Sequence, residues 1–415
     1  MRNPRSHFTF LNYLHEHGRL AQFTNLDTFT PQRREYADYM SWCAGHFEES
    51  VRYSQEVVEV TPHYPADGDK EAEGKVESFD ILARDLNTRG TRTFTSRAVV
   101  LAMGGSPQIP SPFPSSHPRV IHSSTYAHAI GKILSDPLAA YNVAIVGSGQ
   151  SAAECFHDLH SRYPHARTRL LIRGEALKPS DDSPFVNELF DSDRVTTFYA
   201  RSSTARAASL ADNRGTNYGV VQSGLLQNIY DTLYMQRLDQ TDQRKWQHRI
   251  LTQRRVVDVE AGAESVTLSV RDESRGGSAE EEEDDDDDMN DTEATRTSST
   301  RTATLDFDAV IVAAGYSRTM HQTILAPLLP LLAPSPLSSD PPHSTHNPNT
   351  STNPFKVRRD YSIPLDSSKV SKTAGVWLQG CNESSHGLSD TLLSILATRG
   401  GELVESILGD GRFRV

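Results

Sequence analysis

The sequence predicts an α/β fold in which helices flank a largely parallel sheet. An apolar run at Asn142–Val146 leads into the turn Gly147–Gly149, and a helical pattern then continues to Tyr163. Another apolar run, Thr168–Ile172, completes the order strand, glycine turn, helix, strand. Because this order is one mononucleotide-binding unit, we expect a dinucleotide-binding (Rossmann-like) domain in the middle of the chain.

The segments on either side of this unit also carry regular patterns. The segment Met1–Tyr64 is predicted to form two helices, because apolar side chains recur along it at helical spacing. The second helix is predicted to begin at Pro31. Val220–Arg237 is helical in pattern, and one last helix is predicted over Leu388–Leu408. The strands predicted outside the central unit are Val57–Val60, Phe79–Leu86, Thr91–Phe94, Ala98–Met103, the strand-rich segment 256–270, Ala309–Val312 and Val376–Gln379.

Composition and charge restrict the classes of function. The 415 residues are 36% hydrophobic, which suits a soluble globular protein with two ordinary domains. The formal net charge is -12, but the acidic run Glu280–Asp288 supplies most of it and the remainder is nearly neutral. Since the sequence shows no basic stripe, no long apolar run and no secretory leader, we expect no nucleic-acid partner, no membrane span and a cytoplasmic location.

Two segments are predicted to be disordered insertions, because they have few aliphatic side chains to offset the entropy of ordering. The first is the acidic low-complexity segment 271–304, and the second is the Pro- and Ser-rich loop 327–354. Cys43, Cys155 and Cys381 form neither a CxxC pair nor a metal-ligand cluster. We therefore expect neither disulfide redox chemistry nor a metal site.

The glycine-rich turn has the position that a dinucleotide fingerprint requires, between a strand and a helix. Gly147 permits a tight turn, Gly149 lets the backbone approach a pyrophosphate, and the small Ala152 allows the helix to pack closely on the strand. The first amides of the helix would then face the phosphates. A chance glycine-rich turn is the alternative, but the flanking strands favour nucleotide binding.

The end of the second strand indicates which nucleotide is bound. Domains that prefer NAD usually carry Asp or Glu there to bind the ribose hydroxyls, whereas this strand ends Leu171, Ile172, Arg173. A cation at this point would attract the 2′-phosphate of the adenosine, so Arg173 favours NADPH. An ordinary surface arginine is the alternative interpretation.

Four motifs outside the two insertions occur in a specific order: Phe8–Leu14, Lys178–Glu188, Asn217-Tyr218 and His386–Asp390. Together they resemble fungal L-ornithine N5-monooxygenases, the N-hydroxylating flavin monooxygenases that begin hydroxamate siderophore synthesis. The turns Ala102–Gly105 and Ala313–Tyr316 likewise resemble the connections between the FAD and NADPH domains of flavoproteins. The resemblance implies two Rossmann-like domains of the flavin monooxygenase type.

The resemblance also implies a role for each residue that matches a family position. Asn187, Asn217 and Ser389 would bind the substrate. Besides Gly147 and Gly149 of the glycine-rich turn, the residues implied in cofactor binding are Arg33, Gln150, Ser151, Arg173, Tyr218 and Ser389. For Asn187 and Ser389, capping of a helix is the alternative role.

The reaction that the resemblance implies uses FAD and NADPH as cofactors and L-ornithine and molecular oxygen as substrates. Hydride passes from NADPH to FAD, a C4a-hydroperoxyflavin forms, and the side-chain amine of ornithine is hydroxylated to N5-hydroxyornithine. No catalytic side chain and no metal ion is expected, because the flavin carries the chemistry. The resemblance also implies a homotetramer.

We expect a partial FAD-binding domain with substrate helices at 1–120, the NADPH-binding domain at 121–270 and a return to the FAD and substrate domain at 305–415. No βαβ unit with a GxGxxG turn precedes the strands at 57–103, and a substrate lysine of the family would fall before Arg2. The first βαβ unit of the FAD domain is therefore expected to be missing by N-terminal truncation. The alternatives are a non-catalytic NADPH-binding remnant and a lysine N6-hydroxylase of the same architecture.

Overall fold

The computed structural model describes residues 4–64, 75–274, 302–334 and 353–409. The chain divides into two compact units. The first unit comprises Met1–Gly104, Glu188–Arg206 and Arg318–Val415, and the second comprises Gly105–Asn187 and Ala207–Ser317. The domain boundaries predicted at residues 120, 270 and 305 stay predictions.

The described chain contains runs of helices and runs of strands, and the two alternate from β6 to β8. In chain order, the α-helices are α1 Phe10–Glu16, α2 Leu20–Thr24, α3 Arg33–Gly45, α4 Tyr126–Ile133, α5 Gln150–Arg162, α6 Pro184–Asn187, α7 Arg194–Tyr199, α8 Ser203–Asn217, α9 Ser223–Asp239, α10 Met320–Ile324, α11 Glu383–His386 and α12 Leu396–Leu408. The strands are β1 Gln55–Pro62, β2 Phe79–Asp85, β3 Thr91–Ser96, β4 Ala98–Leu101, β5 Ser106–Pro107, β6 Val120–His122, β7 Asn142–Val146, β8 Arg167–Leu171, β9 His248–Leu251, β10 Arg254–Ala261, β11 Val266–Asp272, β12 Thr302–Phe307, β13 Ala309–Val312, β14 Tyr316–Ser317 and β15 Gly375–Leu378.

The second unit is built on a parallel five-stranded sheet with the order β6, β13, β7, β8, β9. The predicted mononucleotide-binding unit corresponds to β7, α5 and β8, and β7 has the predicted bounds. The strand order reverses at β7, because β8 lies on one side of it and β13 on the other. Ligands of such sheets bind beyond the carboxyl ends of the strands at this reversal.

Both faces of this sheet are covered. Residues of α4, α5 and α9 pack on one face, where Ile145, Phe156 and Leu170 are fully buried. The antiparallel sheet β10, β11, β12 packs on the other face, where Leu268 and Val310 are fully buried. A sheet that is buried on both faces needs continuous apolar strands, which explains the uninterrupted apolar run of β7.

The first unit contains the antiparallel sheet β1, β2, β3 and the parallel pair β4, β15. Phe79, Leu325 and Leu378 are fully buried in its core. Helices α1 to α3 form a smaller aromatic cluster around Tyr13. Because β4 and β15 are parallel, their carboxyl ends at Leu101 and Leu378 lie at the same edge.

The structure differs from the expected insertions at their margins. Arg271-Asp272 and Thr302–Thr304, which we expected in the first insertion, belong to β11 and β12, and Arg271 pairs with Thr302. Residues 327–334 of the second insertion are described as well, and Leu328 and Leu331 are buried in the core. Pairing and burial against distant segments order these margins, which local composition does not reveal. Residues 275–301 and 335–352, the remainder of both predicted insertions, lie outside the described residues.

The predicted last helix is interrupted. Two 3₁₀ helices, Leu388–Thr391 and Leu393–Ile395, precede α12. Leu392 between them has extended backbone with ψ 146°. The interruption buries Asp390, whose carboxylate accepts the N–H of Asn382 at 2.7 Å. A tertiary hydrogen bond therefore overrides the helical periodicity of this segment.

Two imidazoles are stacked in the interior of the second unit. The ring centroids of His160 on α5 and His248 on β9 are 3.7 Å apart, and Thr168 Oγ1 lies 2.8 Å from His248 Nδ1. Burial lowers the pKa of His160 to about 3 and the pKa of His248 to about 4. The folded unit therefore holds both rings neutral at neutral pH.

This pair predicts that the protein loses stability as the pH falls below about 6.5, the pKa of an imidazole in an unfolded chain. Both folded pKa values are lowered, so the unfolded state binds more protons than the folded state between about pH 6.5 and about pH 3. At about pH 5, each imidazole therefore lowers the free energy of unfolding by on the order of 2 kcal/mol. Urea unfolding at neutral pH and at about pH 5 measures this loss. His160→Leu should reduce it and the exposed His165→Gln should not. An equal loss in all three proteins would contradict the role of the pair.

Candidate functional site

The turn Gly147–Gly149 lies where the strand order of the second unit reverses. Gly147 has φ +140°, and a Cβ at this position would lie 2.5 Å from the carbonyl oxygen of Ala313, the residue after β13. The N–H of Ala313 donates to the carbonyl of Val146 at 2.8 Å. Only glycine therefore allows β7 and β13 to end this close together.

Helix α5 begins directly after this turn and leaves its amino end without a side-chain cap. The N-cap residue is Gly149, which has no side chain to accept a hydrogen bond from the first amides. Ser151 in the first turn is exposed. A Cβ on Gly149 would lie 3.6 Å from the Cα of Gly219, at ordinary contact distance. The uncapped amides and the positive end of the helix dipole suit a pyrophosphate.

The side chain of Gln150 is engaged within the protein. Its Oε1 accepts the N–H of Gln222 at 2.8 Å, and its Nε2 donates to Glu154 Oε1 at 3.0 Å. Gln222 is the N-cap residue of α9, so Gln150 connects the beginnings of two helices. Gln150 therefore fixes the geometry of the loop, and its contact with NADPH stays a prediction.

The segment Lys178–Asn187, which ends with α6, is attached to the segment that follows α8. The N–H of Val221 donates to Lys178 O at 2.9 Å, and the N–H of Ser180 donates to Val221 O at 2.8 Å. Asn187, the last residue of α6, is exposed, and its Nδ2 donates to Asp182 O at 2.8 Å. This bond orients the amide while its Oδ1 makes no hydrogen bond with any described residue.

Asn217 and Tyr218 lie at the carboxyl end of α8. Asn217 is the last residue of the helix and is exposed. The guanidinium carbon of Arg214 lies 5.2 Å from the centroid of the Tyr218 ring. Gly219 follows with φ +72°, and this glycine is the one that contacts Gly149. The end of α8 is thus adjacent to the glycine turn within the second unit.

Arg173 is exposed and stands two residues beyond β8. The backbone on both sides is anchored, because the N–H of Arg254 donates to Ile172 O at 2.9 Å and that of Gln253 donates to Gly174 O at 3.0 Å. Within the described ranges, the guanidinium of Arg173 makes no hydrogen bond and no ion pair. An anchored cation without a protein partner fits the recognition of a 2′-phosphate.

Ser389 lies in the first unit, in the 3₁₀ helix Leu388–Thr391, and is 3% exposed. Its hydroxyl makes no hydrogen bond with a described residue. Just before it, the ring of His386 stacks on Tyr361 with centroids 4.4 Å apart and Nε2 donates to Arg359 O at 3.1 Å. Burial lowers the pKa of His386 to about 4, so this ring is neutral at neutral pH. Ser389 is therefore held in a buried, ordered turn.

The structure distributes the predicted site residues over both units. Arg33, the exposed first residue of α3, and Ser389 belong to the first unit. The second unit contains Gly147, Gly149, Gln150, Ser151, Arg173, Asn187, Asn217 and Tyr218. Gln222 could not be predicted from the sequence, because its contact with Gln150 spans 72 residues. Asp390 was part of a recognised motif but had no assigned role.

Among the described residues, no helix has the length and the apolar composition that crossing a membrane requires. In the same residues, no group of three or more His, Cys, Asp or Glu side chains is arranged to hold a metal ion.

The geometry of the second unit defines a class of protein. A glycine turn at the reversal of a parallel sheet and an uncapped helix after it are the features of a dinucleotide-binding domain, and an anchored arginine beyond the next strand suits a domain that prefers NADPH. Such domains serve oxidoreductases, in which the cofactor transfers hydride.

Comparison with known proteins identifies the family within this class. Residues 1–289 match the family model of L-lysine 6-monooxygenase/L-ornithine 5-monooxygenase. An L-ornithine N(5)-monooxygenase of Cochliobolus heterostrophus is 48% identical over 414 residues, which cover 98% of this chain and 72% of that protein. The chain belongs to the L-lysine 6-monooxygenase/L-ornithine 5-monooxygenase family, which confirms the resemblance predicted from the motifs.

Solved structures confirm the predicted fold class of Rossmann-like domains of the flavin monooxygenase type. The ornithine hydroxylase of Pseudomonas aeruginosa aligns with a TM-score of 0.78 and 33% identity, covering 98% of this chain and 83% of that chain. The ornithine N-hydroxylase of Kutzneria sp. 744, solved with reduced FAD, NADP+ and L-ornithine, aligns with a TM-score of 0.80 and 27% identity. This second alignment covers 99% of this chain and 85% of that chain.

Proposed function

We propose that this protein catalyses the NADPH- and FAD-dependent hydroxylation of the side-chain amine of L-ornithine to N5-hydroxyornithine, the first step of hydroxamate siderophore synthesis. The observation that carries the proposal is the 48% identity, along 98% of the chain, with a relative named L-ornithine N(5)-monooxygenase. The glycine turn, the uncapped start of α5 and the position of Arg173 in the second unit agree with this function.

In the proposed reaction, the second unit binds NADPH. The amides at the start of α5 donate to the pyrophosphate, and Gly149 leaves room for this approach. Arg173 pairs with the 2′-phosphate. The hydrogen bond of Gln150 to Gln222 holds the amino ends of α5 and α9 together. Tyr218 and Ser151 make the remaining NADPH contacts that the family resemblance implies.

Substrate binding is assigned to Asn187, Asn217 and Ser389. The amide and hydroxyl groups of these residues suit the polar ends of an amino acid, and Asn187 has an unoccupied Oδ1 for this purpose. Arg33 and Ser389 are the residues of the first unit that we assign to FAD. When bound, FAD supplies hydride acceptance and the activation of molecular oxygen. The protein side chains bind and orient the reactants, so no side-chain nucleophile is assigned.

The experiment that tests this proposal measures NADPH oxidation and hydroxylamine formation together, with added FAD and with L-ornithine or L-lysine as substrate. We expect ornithine to give N5-hydroxyornithine in proportion to the NADPH consumed. Product from lysine alone would favour the lysine N6-hydroxylase instead. NADPH binding without product from either amino acid would favour a non-catalytic remnant.

A homotetramer is also proposed, from the family resemblance, and so is the cytoplasmic location that the sequence features predict. Light scattering of the purified protein tests the first, with a mass about four times the 46.0 kDa of the chain expected. Fluorescence microscopy of a tagged protein in cells tests the second.

A further inference from the structure

A buried ion pair attaches the turn of Ser389 to the last helix. Asp390 has no exposed surface, and Arg399 on α12 is 7% exposed. Nη1 of Arg399 donates to the carbonyl oxygen of Asp390 and lies 3.7 Å from Oδ1 of the same residue. Asp390, the residue after Ser389, therefore holds the 3₁₀ helix that contains Ser389 against α12.

The second carboxylate oxygen of Asp390 fixes the segment after β15. Oδ2 accepts the N–H of Asn382 at 2.7 Å, and Nδ2 of Asn382 donates to Leu378 O at 2.8 Å. In the same segment, Nη1 of Arg318 donates to Gly380 O at 3.1 Å. One carboxylate therefore joins the end of β15, the turn of Ser389 and α12.

This arrangement has an energetic cost that a purely structural contact would avoid. Burial raises the pKa of Asp390, and the amide of Asn382 and the guanidinium groups of Arg399 and Arg318 oppose that shift. Among the described residues, Oδ1 of Asp390 finds no hydrogen-bond partner. Apolar side chains of similar volume often stabilise a fold as well as a buried ion pair does. They would not reproduce the directional attachment of the Ser389 turn.

We propose that Asp390, held by Arg399, is a positioning residue for the hydroxylation and fixes Ser389 for its contact with substrate and flavin. This inference rests on the proposed function, in which Ser389 has that contact. Asp390 acts through the turn and touches neither reactant. Its loss should therefore impair the use of ornithine, while NADPH binding in the second unit stays unchanged.

The test uses the double variant Asp390→Leu/Arg399→Met, which removes both charges and leaves neither one buried alone. We expect kcat/KM for ornithine to fall by about 10- to 100-fold, as for other losses of orientation. A larger share of the NADPH should be oxidised without hydroxylation, and the Kd of NADPH should stay within about twofold. The matched control is Arg359→Met/Glu402→Gln, because that 2.7 Å ion pair also attaches α12. The control should keep wild-type kinetics.

The outcomes separate the inference from the function on which it rests. A folded double variant with wild-type kcat/KM and coupling would overturn the inference and leave the proposed function intact. Equal losses in the variant and the control would also overturn it, because they would indicate general loosening of α12. If the double variant does not fold, Asp390→Asn decides in the same assay, with the same loss expected. Wild-type protein that forms no N5-hydroxyornithine would overturn the proposed function itself.

Discussion

Replacing Arg173 with Ala is expected to weaken NADPH binding by about 10- to 100-fold, because hydrogen bonds to charged groups contribute about 1.5–3 kcal/mol. NADH lacks the 2′-phosphate, so its affinity should change by less than about twofold. The side chain has no protein partner among the described residues, and its removal should not alter the free energy of unfolding. Titration of both nucleotides into the wild type and the variant measures the effect.

The control for this prediction is Arg167→Ala, on the same strand but at its other end. Arg167 is the exposed first residue of β8, whereas Arg173 follows the carboxyl end of β8. The control should keep the wild-type preference for NADPH. Equal weakening of NADPH and NADH in Arg173→Ala would refute the assignment of the 2′-phosphate.

Gly147→Ala is expected to lower the free energy of unfolding of the second unit by roughly 2–6 kcal/mol, the combined effect of backbone strain and overpacking. The new Cβ would lie 2.5 Å from the backbone oxygen of Ala313, and φ +140° is unfavourable for alanine. The affected atom belongs to the backbone of a central strand end and cannot move like a flexible side chain. Urea unfolding followed by circular dichroism measures the change.

Gly149→Ala is expected to weaken NADPH binding without destabilising the fold. Its backbone is extended, and the nearest atom to the new Cβ is 3.6 Å away, so stability should change little. NADPH affinity should nevertheless fall at least about tenfold, because a methyl group would stand where the pyrophosphate approaches the backbone. Gly224→Ala on α9, with no atom within 4 Å, is the neutral control. Unchanged NADPH binding in Gly149→Ala would contradict the proposed phosphate site.

Local sequence signals predicted the mononucleotide-binding unit β7, α5, β8 well. The bounds of β7 agree with the predicted run, and α5 begins one residue before the predicted Ser151. Strand periodicity and the glycine turn act over a few residues, so their signals are contained in the segment itself. The requirement for glycine at position 147 was predicted as a tight turn, but its contact with Ala313 depends on the strand order of the sheet.

Features that depend on distant partners could not be predicted in this way. The three-residue strand β6 is defined by its pairing with β13, nearly two hundred residues further along the chain. The break at Leu392 depends on the burial of Asp390 beside Asn382 and Arg399. Within the site, the roles of Asn187 and Ser389 came from the family resemblance, because the residues alone favoured helix capping for both.

The most direct test of the proposed function is the reaction of the purified protein with L-ornithine, NADPH and added FAD under dioxygen labelled with oxygen-18. Mass spectrometry of the amino acid product locates the label. We predict N5-hydroxyornithine that carries one labelled oxygen atom, with NADPH consumed in proportion. Absence of the hydroxylated product, or a product whose new oxygen is unlabelled, would contradict the proposed monooxygenase function.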